Sequence, residues 1–145
     1  MKPDFGRPYG LQFAGHPAHM SAIDFVLWRR LRAGGSLIFD RVFFDVGVGE
    51  GAAPAGDVSP AVAAAWGRLT RLRVDVVGET QDEWTMIELR GNAGPGAVGS
   101  LLAYRNLWRV DPPDDRPVKM WLVTDLFPVN LLGVLSEFSI QFTVV

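Results

Sequence analysis

Hydrophobic and polar positions along the first half of the chain alternate between helical and extended periods. In "SAIDFVLWRRLRAG" the apolar residues recur every three to four positions, which predicts a helix with a serine cap and a glycine stop. "SLIFDRVFFDVGVG" is aromatic and β-branched, and predicts a strand that contains Asp40 and Asp45. Ser59-Pro60 then predicts the start of a short helix that ends near Trp66.

The second half of the chain continues the alternation of strands and helices. Two strands are predicted at about Thr70–Glu79 and Glu83–Gly91, with a tight turn at Gln81-Asp82. "GPGAVGSLLAYRNLWRV" predicts a second long helix, "VKMWLVTD" a buried strand and "FSIQFTVV" a last strand. The order is helix, strand, short helix, strand, strand, helix, strand, strand, which is typical of the α/β class.

Composition adds limits to this picture. The chain has 145 residues, which predicts one domain, and we assign residues 19–145 to it. Residues 1–18 are rich in proline and glycine and are predicted to form an extended arm. The absence of cysteine excludes disulfides and thiolate metal sites. No apolar run reaches the ~20 residues of a membrane span, so we expect a protein that neither enters a membrane nor is secreted.

Charged residues interrupt the apolar pattern of the predicted hairpin. Asp75 lies between valines, Glu88 lies between isoleucine and leucine, and Arg90 follows. A turn at Gln81-Asp82 places Asp75 opposite Glu88, and two facing carboxylates repel each other. Positive charge must therefore lie beside them. A divalent cation is one candidate, and a salt-bridge network with Arg73 and Arg90 is the other.

The charged hairpin resembles the signature of the PD-(D/E)XK nuclease superfamily, in which an Asp and a Glu-x-Lys lie on adjacent strands. Asp75 takes the position of the Asp, and Glu88 and Arg90 in "IELR" take those of the Glu and the Lys. The resemblance implies a restriction-endonuclease-like core with a central mixed sheet flanked by helices. It also implies that Asp75 and Glu88 bind Mg²⁺ or Mn²⁺, with Asp24 or Asp45 as a third ligand.

The resemblance continues into the following helix. Phage-encoded members of the superfamily carry Gln-x-x-x-Tyr there, and this chain has Ser100 and Tyr104, which a helical period places on the inward side. Two departures stand out, because Arg replaces Lys at Arg90 and Ser replaces Gln at Ser100. Arginine does not exchange protons near neutrality, although it can bind phosphate and orient water. Arg73 is a further candidate for phosphate contact.

Two functions follow from the resemblance. The first is a metal-dependent deoxyribonuclease of a phage or mobile element, with DNA as its partner. The second is a catalytically inactive nuclease fold with a structural or assembly role in a phage virion. In the second case the arm of residues 1–18 lies across a neighbouring subunit and promotes self-association or contact with other phage proteins. Both functions imply the host cytoplasm or the virion as the location.

Overall fold

The computed structural model describes all 145 residues. Its element order confirms the predicted α/β pattern and adds a short 3₁₀ turn at Val129–Leu131 and a short helix between the last two strands. The helices are α1 (Ala22–Ala33), α2 (Pro60–Thr70), α3 (Pro95–Val110) and α4 (Leu132–Glu137), and the strands are β1 (Arg41–Val48), β2 (Leu72–Glu79), β3 (Trp84–Leu89), β4 (Val118–Thr124) and β5 (Ile140–Val144).

The five strands form one mixed sheet in the order β1-β2-β3-β4-β5. β1, β2 and β3 are antiparallel neighbours, whereas β3, β4 and β5 run parallel. Helix α3 connects β3 to β4, as a parallel pair requires. All six residues of β3 are buried, because this central strand is covered on both faces of the sheet.

Two apolar clusters cover the two faces of the sheet. On one face, α3 contributes Leu101, Tyr104 and Trp108 to the larger cluster. On the other, α1 contributes Leu27, Trp28 and Leu31, whose spacing gives one apolar stripe along the helix. The Ser21 hydroxyl accepts a hydrogen bond from the N–H of Asp24 and caps α1 as predicted.

The N-terminal segment lies along the outer edge of β1. Asp4 pairs with Gly47 and Tyr9 pairs with Val42 in isolated antiparallel bridges. Between them, Phe5 packs against the larger core, with its ring centroid 4.9 Å from that of Trp84. The segment thus covers a strand edge that would otherwise expose unpaired backbone groups.

Two element boundaries differ from the sequence prediction. β1 begins at Arg41, so Asp40 precedes the strand instead of lying within it. Helix α2 continues past Trp66 to Thr70, because its alanine-rich run favours helix and the Thr70 hydroxyl bonds the Trp66 carbonyl. None of the helices is both long and apolar enough to cross a membrane.

Candidate functional site

The candidate site lies where β2 separates from β3. These strands pair from Val76–Ile87 to the turn, and the same register continued by one residue sets Asp75 opposite Glu88. The backbone ladder does not continue there. Instead, the N–H of Leu89 donates a hydrogen bond to Oδ2 of Asp75 at 2.8 Å. A side chain therefore replaces the next backbone acceptor, and the strands open into a fork.

The same position interrupts the pairing of β1 with β2. Phe44 pairs with Val76 and Val46 with Val74, but Asp45, which the register sets opposite Asp75, has φ 54° and makes no ladder pair. A non-glycine residue in the left-handed region is uncommon and costs free energy.

Strict alternation of faces consequently fails in β2 at the same point. Val74 and Val77 are three residues apart, yet both pack in the larger core cluster. Regular pleating would place Arg73, Asp75 and Val77 on one face of the sheet, and the break at Asp75 prevents this.

Glu88 is the most buried acid of the site, with 3% of its surface exposed. Nη2 of Arg90 donates a hydrogen bond to Oε1 at 2.5 Å, whereas Oε2 is buried and has no hydrogen-bond partner. Burial raises the pKa of Glu88, and the bond from Arg90 offsets this only in part. An unpaired oxygen of a buried carboxylate is costly unless something positive reaches it.

The pKa of Asp75 shows most clearly that the negative charge of the site is not balanced. Burial, followed by repulsion from Glu88, raises the pKa of Asp75 to about 7, even though the Leu89 N–H stabilises the ionised form. The charge of Arg90 lowers the pKa of Asp75, but its effect is smaller than that of burial or of Glu88. Arg90 alone therefore leaves the two facing carboxylates without enough compensating charge.

Asp24, in the first turn of α1, is a third acidic residue near the site. It is partly buried, and its charge raises the pKa of both Asp75 and Glu88. The three acids nevertheless do not converge into a cluster of three side chains that could together hold a metal ion. The arrangement is a carboxylate pair with a third acid nearby.

Tyr104 approaches the site from α3. The residue is 7% exposed, and its hydroxyl faces Glu88 and Ser100 one helical turn away. Burial, then the charges of Glu88 and Asp75, raise the pKa of Tyr104, so the phenol remains protonated. The hydroxyl does not satisfy Oε2 of Glu88 in strict hydrogen-bond geometry. Ser100 and Tyr104 thus lie where the inward helical face predicts them.

Arg73 lies apart from the carboxylate pair. Its Nη1 contacts Asp45 twice, at 3.2 Å from the carbonyl oxygen and 3.6 Å from Oδ2. Neither Asp75 nor Glu88 forms an ion pair with it. The expected four-residue network of Arg73, Asp75, Glu88 and Arg90 therefore reduces to one ion pair, between Arg90 and Glu88.

A satisfied charge network lies at the opposite end of the same hairpin, and the sequence patterns did not indicate it. Glu79 is 8% exposed and accepts hydrogen bonds from Arg41 and, at 2.8 Å, from Arg116. Burial opposes ionisation of Glu79, but the two arginines outweigh it and lower the pKa. Arg116 also bonds Asp114 and brings the pKa of that carboxyl to about 2. Glu79 and Glu88 both expose less than a tenth of their surface, yet their pKa values shift in opposite directions.

Comparisons with known proteins bear on the fold. No protein-family model matches the chain, and no curated protein sequence matches it. Among solved structures, the chain resembles a repair endonuclease from Pyrococcus abyssi, with a TM-score of 0.53 and 16% sequence identity. The match covers 90% of this chain and 49% of that one, so the chain spans about half the length of the endonuclease. The predicted restriction-endonuclease-like α/β core is thereby confirmed at the level of fold.

Proposed function

We propose that the protein is a divalent-metal-dependent nuclease that cleaves phosphodiester bonds in DNA. Asp75 and Glu88 are the metal-binding carboxylates, and Arg90 and Tyr104 support them. The nuclease-like fold supports this proposal, and so does the composition of the fork between β2 and β3. The phage or mobile-element origin implied by the sequence motifs is part of the same proposal.

The observation that carries the proposal is the buried Oε2 of Glu88, which has no hydrogen-bond partner in a residue that the register sets opposite Asp75. In the same hairpin, Glu79 has two guanidinium partners and a lowered pKa. Glu88 has one partner, a free buried oxygen and a raised pKa. In a purely structural network we would expect the charge of Glu88 to be balanced by basic side chains, since burying an uncompensated carboxylate destabilises the fold. A bound cation removes the imbalance.

The residues present fit Mg²⁺ or Mn²⁺. Mg²⁺ is commonly held by one or two carboxylates, with waters and substrate phosphate oxygens as its remaining ligands, so Asp75 and Glu88 suffice without a third protein ligand. Asp24 adds negative charge nearby and is the candidate for a contact through water. When bound, such an ion stabilises negative charge on the phosphate and acidifies a water molecule.

Arg90 and Tyr104 lie next to Glu88, and Arg90 also neutralises part of its charge. Arg90 holds Oε1 of Glu88, and its side chain is 41% exposed, so its free N–H groups can bind a phosphate oxygen. Its guanidinium does not transfer protons near neutrality, which excludes it as an acid or base. Tyr104 places a protonated phenol near Glu88 from the α3 side, and Ser100 lies one helical turn before Tyr104.

Nicking of supercoiled plasmid DNA in Mg²⁺ or Mn²⁺ tests the proposal. We expect the wild-type protein to nick the plasmid and Glu88→Gln to lose this activity, whereas Glu79→Gln keeps it. Glu79→Gln is the matched control because it removes the same charge from the same hairpin at a position with satisfied partners. A wild-type protein that leaves the plasmid intact in both metals contradicts the proposal. The inactive virion protein with a structural or assembly role is then the function that remains.

A further inference from the structure

We propose that the outer surface of α1 and the groove beside it bind an unpaired strand of DNA next to the carboxylate site. The choice of DNA as the ligand rests on the nuclease function proposed above. The surface, here called the α1 groove, lies between the C-terminal half of α1 and the segments 11–14 and 35–37. Its volume is about 670 Å³.

The charge of the α1 groove is positive in a chain whose net charge is −2. Arg29 and Arg32 line it, Arg30 lies beside Arg29 on the same helix, and no acidic residue is among the lining residues. None of the three arginines forms a salt bridge, and Nε of Arg32 donates a hydrogen bond to the Leu11 carbonyl at 3.0 Å. Unpaired guanidinium groups grouped on one surface attract a polyanion.

The lining of the α1 groove combines the arginines with apolar side chains and an aromatic ring. Leu11, Phe25 and Leu37 line it. One side of Phe25 stacks on His16, with ring centroids 4.3 Å apart, and the Arg29 guanidinium lies 5.6 Å from the Phe25 centroid. A single strand presents phosphates and exposed base faces together, so it uses both the arginines and the apolar side chains. A duplex keeps its bases stacked inside and uses only the arginines.

The position of the groove relative to the site supports the same ligand. Leu27 of α1 packs in the same apolar cluster as Ile87 and Leu89, which flank Glu88 in β3. Asp24 lies in the first turn of this helix, and Arg29 and Arg30 follow it by five and six residues. At 1.5 Å per residue this separation is about 8–9 Å along the helix axis. Arg29 and Arg30 thus lie within two helical turns of the end of α1 that carries Asp24.

Fluorescence anisotropy with a labelled oligodeoxythymidylate tests the proposal, in EDTA so that no cleavage occurs. The test variant is Arg29→Ala with Arg30→Ala, since both side chains are exposed and neither forms a salt bridge. The control is Arg68→Ala with Arg109→Ala. These exposed arginines lie in the last turns of α2 and α3, and their removal changes the net charge by the same amount as the test variant does.

We expect the test variant to bind the single strand roughly 2- to 30-fold more weakly than wild type, as the removal of two partly exposed charges requires. The slope of log affinity against log salt should fall in magnitude by about 1.4, or about 0.7 for each phosphate that is no longer neutralised. The control should keep wild-type affinity, and a duplex of the same length should bind more weakly and respond less to the test substitutions.

An equal loss of affinity in the test and control variants overturns the proposal, because the effect is then one of net charge alone. Duplex binding as tight as that of the single strand, and equally sensitive to Arg29 and Arg30, overturns the assignment to an unpaired strand. Competition by polyglutamate as strong as by the oligonucleotide assigns the surface to an acidic protein instead. None of these readouts depends on cleavage, so this proposal and the nuclease function can fail separately.

Discussion

Arg90 donates a single hydrogen bond, from Nη2 to Oε1 of Glu88 at 2.5 Å, and leaves Oε2 of that carboxylate without a partner. Arginine can grip a carboxylate with two parallel bonds, and a structural clamp would be expected to use both. The Arg90 side chain is 41% exposed, whereas that of Glu88 is 4% exposed. Arg90 thus contributes charge from the solvent side, and no second basic side chain forms an ion pair with Glu88 or Asp75.

Replacement of Arg90 by lysine tests what this residue contributes. Because the existing contact is one-pronged and partly exposed, we expect Arg90→Lys to cost less than about 1 kcal/mol in the free energy of unfolding. Lysine is a compact donor that can approach a water molecule, so cleavage of plasmid DNA should rise. Arg90→Ala serves as the control and should lower cleavage. A large drop in melting temperature with no gain in cleavage would instead identify Arg90 as a structural clamp.

The raised pKa of Asp75 predicts a pH dependence of stability in the absence of metal. The folded-state pKa of about 7 lies above the unfolded value of 3.8, so folding favours the protonated form. The contribution of Asp75 to stability is therefore fully present below about pH 4 and is lost as the pH rises through about 7. In EDTA, the wild-type melting temperature should fall between pH 5 and pH 8.

Asp75→Asn isolates this effect. The amide oxygen can still accept the hydrogen bond from the Leu89 N–H but carries no charge next to Glu88. We expect the variant to be more stable than wild type at pH 8 by about 1–3 kcal/mol, or roughly 3–10 °C in melting temperature, with a smaller difference at pH 5. If the melting temperatures of the two proteins change in parallel across this pH range, the charge of Asp75 does not destabilise the fold.

The Glu79 network predicts the opposite response to loss of a carboxylate. Glu79→Gln weakens the bonds to Arg41 and Arg116 and removes the charge that both arginines balance. We expect a loss of about 1–3 kcal/mol in the free energy of unfolding, measured by urea denaturation at neutral pH. Glu88→Gln in metal-free buffer should be neutral or stabilising. If the two substitutions destabilise equally, the electrostatic contrast between the ends of the hairpin is not real.

Packing of Phe5 predicts that the N-terminal segment contributes to the stability of its own domain. Its ring lies 4.8 Å from Phe43 and 5.6 Å from Trp108, between centroids. Phe5→Ala should cost about 2–4 kcal/mol, somewhat less than for a fully buried ring. Arg7→Ala, on the same segment but exposed, should change stability by less than about 0.5 kcal/mol. Equal melting temperatures for Phe5→Ala and wild type would favour a segment that is free to reach a neighbour.

Local patterns in the sequence were sufficient to predict the elements and the central hairpin. The turn at Gln81-Asp82 forms as expected, with the Thr80 N–H bonded to the Glu83 carbonyl at 3.0 Å. Two-residue turns fix the register of a hairpin, and this register alone sets Asp75 opposite Glu88. The helical period of α3 likewise placed Tyr104 inward.

Features that depend on contacts distant in sequence could not be predicted in this way. The break at Asp45 and Asp75 requires the left-handed backbone of Asp45, which period-two alternation does not encode. The bond from Arg116 to Glu79 joins residues 37 positions apart, and Phe5 reaches a core built from much later strands. Arg73 was a candidate partner of Asp75 and Glu88 but contacts Asp45, because the same break interrupts the alternation of faces.

Calorimetric titration of Mn²⁺ into the metal-free protein, without DNA, tests whether Asp75 and Glu88 bind a cation. If Asp75 and Glu88 form a cation site, the wild-type protein should bind one ion per chain, and near pH 6 binding should release protons because Asp75 must ionise. Glu79→Gln should bind as wild type does, whereas Asp75→Asn and Glu88→Gln should not bind. A wild-type protein that shows no saturable binding, or a Glu88→Gln variant that binds equally well, would show that these carboxylates do not form a metal site.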